Sequence, residues 1–236
     1  MGGWSSGWAP HPHPAEAGTI RNRVLAEAEP ADPRPANTTR MVFHVVSAAS
    51  CLSLLAFLPV ENLKWIAGSF ALFAWTLELT RRQWPGWNDL LMRFYASIAH
   101  ARERHVINSG TWYMTALVVL TLTHDRVLCT VAVAALGFGD PFAALIGRRF
   151  GRVRLLHGRT LEGSLAFVVA ATLAAWGLLR WITPEVPMVT ALWFGMAGGV
   201  AGAVAEMLSR RVDDNLSIPL TAAGAVWATV SVLPPV

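Results

Sequence analysis

The sequence predicts an all-α, polytopic integral membrane protein with about seven transmembrane helices, and three observations predict it. Charged residues make up only 14% of the chain against 54% apolar residues, whereas a soluble domain carries about 25% charge and a charge at the bilayer centre is costly. Apolar runs recur at 41–59, 63–80, 112–124, 127–147, 161–182, 188–208 and 217–233, most of them close to the roughly 20 residues that a spanning helix needs. The basic residues alternate between the gaps. Arg21, Arg23, Arg34 and Arg40 precede the first run. Arg81, Arg82, Arg93, Arg102 and Arg104 follow the second, Arg148, Arg149, Arg152, Arg154 and Arg159 the fourth, and Arg210 and Arg211 the sixth. Of 19 basic residues only Lys64, Arg126 and Arg180 fall toward the other side. Positive charge stays on the cytoplasmic side, so the N-terminus is expected in the cytoplasm and the C-terminus outside.

Taken in order, residues 1–38 are rich in Gly, Pro and small polar residues and have no apolar period, which reads as a disordered cytoplasmic tail without the continuous apolar core of a signal peptide. Residues 39–236 form the membrane domain. The third span is short, and Trp112 and Tyr113 suit its entry at the interface. Between spans two and three, Trp87, Leu90, Leu91, Phe94, Tyr95 and Ile98 recur at helical spacing, which predicts an amphipathic surface helix near 87–104. Cys51 and Cys129 lie in apolar runs without metal-type spacing and read as free thiols. With so apolar a chain, the basic excess serves orientation and anionic ligands, and no nucleic-acid partner is expected.

The chemistry concentrates where acids meet span ends. Glu78, Asp140, Glu162 and Glu206 lie at or inside such ends, where an ionisable group is a functional candidate; a structural ion pair with a nearby arginine is the alternative for each. Asp140 precedes Pro141, which lacks an N–H and clashes with the carbonyl of Gly137. The expectation is a break at 137–140, a helix restarting at Pro141, and a helix N-terminus open to phosphate. Gly158-Arg159-Thr160 is no Walker motif, because the glycine spacing and the lysine are missing. In the loop it closes, Arg148 and Arg149 serve topology or phosphate. Gly195/Gly199 and Gly198/Gly202 are GxxxG pairs that permit close helix packing within or between chains, which leaves a homo-oligomer open. Asp213-Asp214-Asn215 offers oxygens suited to Mg²⁺, and Glu206 lies one turn beyond Gly202. His100 and His105, five apart with no cysteine near, exclude a zinc site.

Together, GDPFAALIGRRFGR, GRTLEGSLAF and DDNLSIPL, with the R-x-x-x-H pattern of Arg40 and His44, resemble the membrane lipid kinases that include dolichol kinase, phytol kinase and CTP-dependent diacylglycerol kinase. The resemblance covers about residues 40–220. It implies phosphoryl transfer from CTP, with Mg²⁺ or another divalent cation, to the hydroxyl of a lipid alcohol in the bilayer. It implies catalytic roles for Asp140, Arg159 and Glu162, and nucleotide or phosphate contacts from Arg40, His44, Asn108, Gly139, Gly163 and Ser164, with Arg148, Arg149 and Thr160 beside them. The metal candidates are Asp140, Asp213, Asp214, Asn215 and Glu206. The family often has lysine where this chain has Arg159; arginine can clamp phosphate oxygens bidentately but is not a point charge. A cytidylyltransferase making a CDP-lipid and a non-enzymatic transporter or scaffold are the competing readings. The choice among diacylglycerol, a polyprenol such as dolichol, and phytol stays open, and CTP over ATP rests on the resemblance alone.

Overall fold

A computed structural model of the chain describes residues 38–94, 106–209 and 212–232. All regular elements among them are helical. They are α1 (Thr38–Phe57), α2 (Val60–Gln83), α3 (Pro85–Phe94), α4 (Ser109–Leu122), α5 (Arg126–Ala134), a π-helical turn (Ala135–Gly139), α6 (Asp140–Phe150), α7 (Leu161–Ile182), α8 (Met188–Leu208) and α9 (Asp214–Val232). A helix occupies each of the seven apolar runs. Three are long and apolar enough to cross a membrane: Arg126–Phe150, Leu161–Ile182 and Met188–Leu208; Met41–Phe57 and Ser109–Leu122 are shorter apolar helices. The tail, residues 95–104 of the amphipathic stretch, and Arg210 and Arg211 lie outside the described residues. Within that stretch α3 exposes Trp87, Leu90 and Phe94.

The helix starts are written locally. The Asn108 side chain accepts from Gly110 N, Asp125 from Val127 N and Leu128 N, and Thr160 from Gly163 N, each occupying amide hydrogens that a first turn leaves unpaired. Pro59 and Pro187 stand at N-caps and Pro85 opens α3, where a missing N–H costs nothing.

The expected break at 137–140 does not occur. Gly139 and Asp140 keep right-handed helical angles, and the helix runs from Arg126 to Phe150 through the π turn. A π turn pairs residues five apart, which gives the proline ring room without ending the helix. No free helix N-terminus therefore exists at Asp140.

Packing centres on α5 and the π turn, where every residue from Leu128 to Gly137 is buried. α8 lies against α7 through its glycines. A Cβ on Gly195 would stand 2.8 Å from the Thr172 carbonyl oxygen, and one on Gly199 3.1 Å from that of Val168. Gly198 faces Val131 of α5 instead. Both GxxxG pairs are thus used inside the chain. Phe167 of α7, 0% exposed, fills the space beside Gly139 and Gly202: added Cβ atoms there would come within 2.6 Å and 2.8 Å of its ring. This ring ties the π turn to α7 and α8. Phe167→Ala should cost about 3–5 kcal/mol of stability, the range for emptying a fully packed aromatic site. A thermal-unfolding midpoint unchanged from wild type in the same detergent would show that the contact contributes little.

Candidate active site

Between α6 and α7 the chain forms a small hairpin. Leu161 N donates to Val153 O (2.9 Å) and Leu155 N to Arg159 O (2.8 Å). The turn between them contains His157 (φ 54°) and Gly158 (φ 77°), left-handed values that glycine adopts without strain. The His157 ring places Nδ1 3.2 Å from Met207 O, docking the hairpin on the end of α8. The matched motif residues build this support. Thr160 is buried as the cap of α7. A Cβ on Gly163 would stand 2.9 Å from Ala143 O and 3.2 Å from Gly147 Cα, so glycines bring α6 and α7 together. The Glu162 carboxylate accepts from Val153 N at 3.2 and 3.3 Å, clamping the base of the hairpin.

What the hairpin presents is Arg159. Its Nη1 lies 2.7 Å from Glu206 Oε1 and its Nη2 3.5 Å from Asp214 Oδ2. Glu206 is 2% exposed on α8, so its charge requires a partner, and Arg159 supplies it. Asp140 and Asp214 add their negative charge to the surroundings of Glu206. The ends of α8 and α9 thereby meet at one arginine, with the Asp140 charge of α6 near Glu206. Ser164, one turn into α7, buries its Oγ with no hydrogen-bond partner among the described residues, an arrangement that leaves a donor available to a ligand.

Asp213 and Asp214 face different ways. Asp213 accepts from Asn215 N (3.0 Å), Asn215 Nδ2 (2.7 Å) and Ser109 Oγ (3.1 Å), which ties the start of α9 to α4. Asp214 reaches Arg159, and Asn215 Nδ2 donates to its Oδ1 at 3.1 Å. Asn215 therefore meets both aspartates with its amide nitrogen and orients them.

Other expected site residues lie apart from this cluster. Arg148 and Arg149 end α6 exposed, and the Arg149 guanidinium stands 5.4 Å over the Phe150 ring. Gly139 packs on Phe167. The Arg40 side chain lies outside the described residues. His44 and Asn108 line a cavity of about 270 Å³ among α1, α2, α3, α4 and the π turn. Beside it lies a network built on Arg81, one of the arginines that the sequence assigns to orientation, and here Glu78 takes its structural ion-pair alternative. Arg81 gives Nε and Nη2 to the two oxygens of Glu78 (2.9 and 2.8 Å), Nη1 to Asn88 Oδ1 (2.9 Å) and Nη2 to Val106 O (2.7 Å); Asn108 N donates to Glu78 Oε2 (3.3 Å). Both charges are nearly fully buried. The available signal was an acid and an arginine three apart at a span end, a spacing that pairs on a helix.

Among the described residues no three His, Cys, Asp or Glu side chains converge on one metal position. The donors are nonetheless of the right kind for Mg²⁺, which takes oxygen ligands, often only one or two carboxylates, with phosphate and water completing the shell.

An apolar helical bundle carrying a carboxylate and arginine cluster at one end is the architecture of a membrane protein with a charged site. Comparison with known proteins makes the class specific. The chain is 30% identical over 209 residues to phytol kinase from Synechocystis, covering 78% of this chain and 86% of that one. It is 24% identical over 203 residues to CTP-dependent diacylglycerol kinase 1 from Saccharomyces cerevisiae, covering 77% and 69%. A stretch of 46 residues is 48% identical to Saccharomyces cerevisiae dolichol kinase, 19% of this chain and 9% of that protein. No family model matches the chain, and no solved structure does. The chain belongs to the membrane lipid kinase family of diacylglycerol, phytol and dolichol kinases.

Arg159→Ala should lower turnover by about 10²-fold or more, the scale of removing a charge-stabilising donor, whereas exposed Arg154→Ala should stay within about threefold of wild type. Equal losses in steady-state rates would reduce the hairpin to a diffuse basic patch. Asp214→Asn should cost on the order of 10²-fold. Asp213→Asn keeps a side-chain oxygen for capping α9 and should retain most of its rate. Rates in the reverse order would exchange the two roles.

Proposed function

We propose that the protein transfers the γ-phosphoryl group of CTP to the hydroxyl of a membrane lipid alcohol, at the cytoplasmic end of a seven-span bundle. The observation that carries this reading is the cluster in which Arg159 stands between Glu206 and Asp214 with Asp140 beside them. Phosphoryl transfer asks a protein for positioning and charge neutralisation above all. The arginine alternation of the loops supports the orientation, and relatives named as CTP-dependent kinases support the donor. Residues before Thr38 serve as a tail, and the amphipathic stretch around α3 lies along the cytoplasmic surface.

In this reading Arg159 binds phosphate oxygens through its forked N–H groups, and Glu206 fixes the guanidinium from the side away from the ligand. Ser164 Oγ supplies a further donor. Asp140 and Asp214 would hold a divalent cation, which when bound neutralises charge on the triphosphate. Thr160, Gly163 and Glu162 act through the hairpin they support. During transfer the alcohol oxygen bonds to the γ-phosphorus as the bond to the bridging oxygen breaks. CDP leaves, and the hydroxyl proton passes to a carboxylate of the cluster. Asn215 keeps both aspartates in place through its amide hydrogens.

The deciding experiment uses purified protein in lipid nanodiscs with CTP or ATP labelled at the γ-phosphate and three acceptors: dioctanoylglycerol, phytol and a short polyprenol. Labelled lipid phosphate with CDP is expected. Pyrophosphate with a CDP-lipid would instead establish cytidylyl transfer. Asp140→Asn should insert normally and lose on the order of 10³-fold in rate; more than about a tenth of wild-type rate would make Asp140 structural. Deletion of residues 1–36 should leave phosphorylation within about twofold, and its loss in a well-inserted protein would give the tail a catalytic part.

A further inference from the structure

The cavity beside α2 is elongated and graded in polarity. Phe70, Phe73, Ala74, Leu77, Glu78 and Arg81 line it from one face of α2, a stretch of about 16 Å at 1.5 Å per residue. The Phe70 end is apolar, and Phe43 and Met114 join it from neighbouring helices. Phe43, Phe70 and Phe73 are also among the exposed large side chains, so this end meets the apolar outer surface of the bundle. The other end carries Asn108, Ser109 and Asn215 beside the Glu78–Arg81 pair.

The Glu78–Arg81 pair at that end favours a neutral ligand over an anion. Glu78 and Arg81 satisfy each other in two hydrogen bonds, and Arg81 has two further acceptors in Asn88 and Val106. A triphosphate would find no uncommitted positive charge in this pair. Asn215, 2% exposed, has given both amide hydrogens to Asp213 and Asp214. Its side-chain oxygen has no hydrogen-bond donor among the described residues, and what a carbonyl oxygen accepts is an O–H or N–H. Gly137 and Asn215 both line the cavity, and each stands four residues before a proline, which cannot give their backbone carbonyls the usual helical N–H. The same Asn215 joins the cavity to Asp214 and hence to Arg159.

We propose that this cavity is the acceptor site: it takes the hydroxyl end of a membrane lipid alcohol, with Asn215 Oδ1 accepting a hydrogen bond that orients the bound hydroxyl and the α2 face holding the first part of the chain. The hydroxyl proton goes to a carboxylate of the neighbouring cluster during transfer. The assignment rests on the lipid kinase reading and gives it a location. The ligand enters from the bilayer past Phe43, Phe70 and Phe73, so its hydroxyl approaches the phosphoryl cluster from the side opposite the hairpin residue Arg159.

The test combines labelling with kinetics. Diazirine analogues of phytol and of diacylglycerol, photoreactive close to the hydroxyl, are irradiated with the full-length protein in nanodiscs. Labelled peptides should map to α1, α2 and α4, and excess unmodified alcohol should suppress them. Labels confined to the outer groove of α6 and α7, near Phe142 and Val169, would overturn the assignment. Ala74→Trp narrows the cavity and should raise the lipid KM about tenfold or more while leaving the nucleotide KM within about twofold; Leu72→Trp, on the outward side of the same helix, is the control. An unchanged lipid KM in a folded Ala74→Trp protein would also sink the proposal. Asn215→Leu should lower kcat by about 10²-fold with lipid KM nearly constant, and a loss under about threefold would remove Asn215 from the hydroxyl. If wild type phosphorylates none of the alcohols with either nucleotide, the kinase reading itself fails; an active enzyme labelled elsewhere loses only the cavity.

Discussion

A carboxylate buried near the end of an apolar helix has to find a cation, and much of this molecule can be understood from how Glu206 finds Arg159. The arginine lies in a different part of the chain, so a support must carry it to α8. The hairpin is that support, and each of its features serves the delivery: the left-handed turn at His157 and Gly158, the contact with Met207 O, the Thr160 cap, and the clamp of Glu162 on Val153 N. Behind the hairpin, Gly147 and Gly163 allow α6 and α7 to approach until backbone nearly touches backbone. Larger residues there would move the arginine away from its carboxylate.

The bilayer itself explains which parts of the fold were legible in the sequence. A helix facing lipid must be apolar along its length, so each of the seven runs announced a helix. The motif stretches announced the neighbourhood of Asp140, Arg159 and Asp214 in the same way, since charge next to apolar segments is conspicuous. Less legible was anything decided by backbone geometry. Asp-Pro after two glycines reads as a break, but it is absorbed as a π turn whose glycines pack against Ala48 and Phe167, neighbours that lie far away in sequence. The hairpin at 153–161 has only three backbone hydrogen bonds, one of them within its turn, too few to leave an alternating pattern. Arg81 looked like one more cytoplasmic charge, and only its burial against Glu78 separates it from Arg82, which is half exposed.

Glu78 and Glu206 solve the same physical problem with different consequences. Glu78 is paired within its own helix by Arg81 and Arg82, and the pair also holds α3 and the entry to α4. Such a network is closed: its donors and acceptors are spent on the protein. The Arg159 fork, by contrast, has one short contact to Glu206 and one long, partly exposed contact to Asp214. One pair is thus buried on both sides, while the other leaves its arginine about one-third exposed at the end of the bundle.

The π turn at Ala135–Gly139 has a consequence for the register of everything beyond it. A π turn amounts to one residue more than an α-helix would place over the same rise, and one residue is about 100° of rotation in an α-helix with 3.6 residues per turn. The face of α6 that carries Asp140 is therefore set relative to α5 by a single inserted residue rather than by a bend. Removing one residue from that turn would leave the span nearly straight and nearly as long, yet would swing Asp140 about a quarter of the way around the helix axis. The span thus stores the angular address of its carboxylate in its residue count.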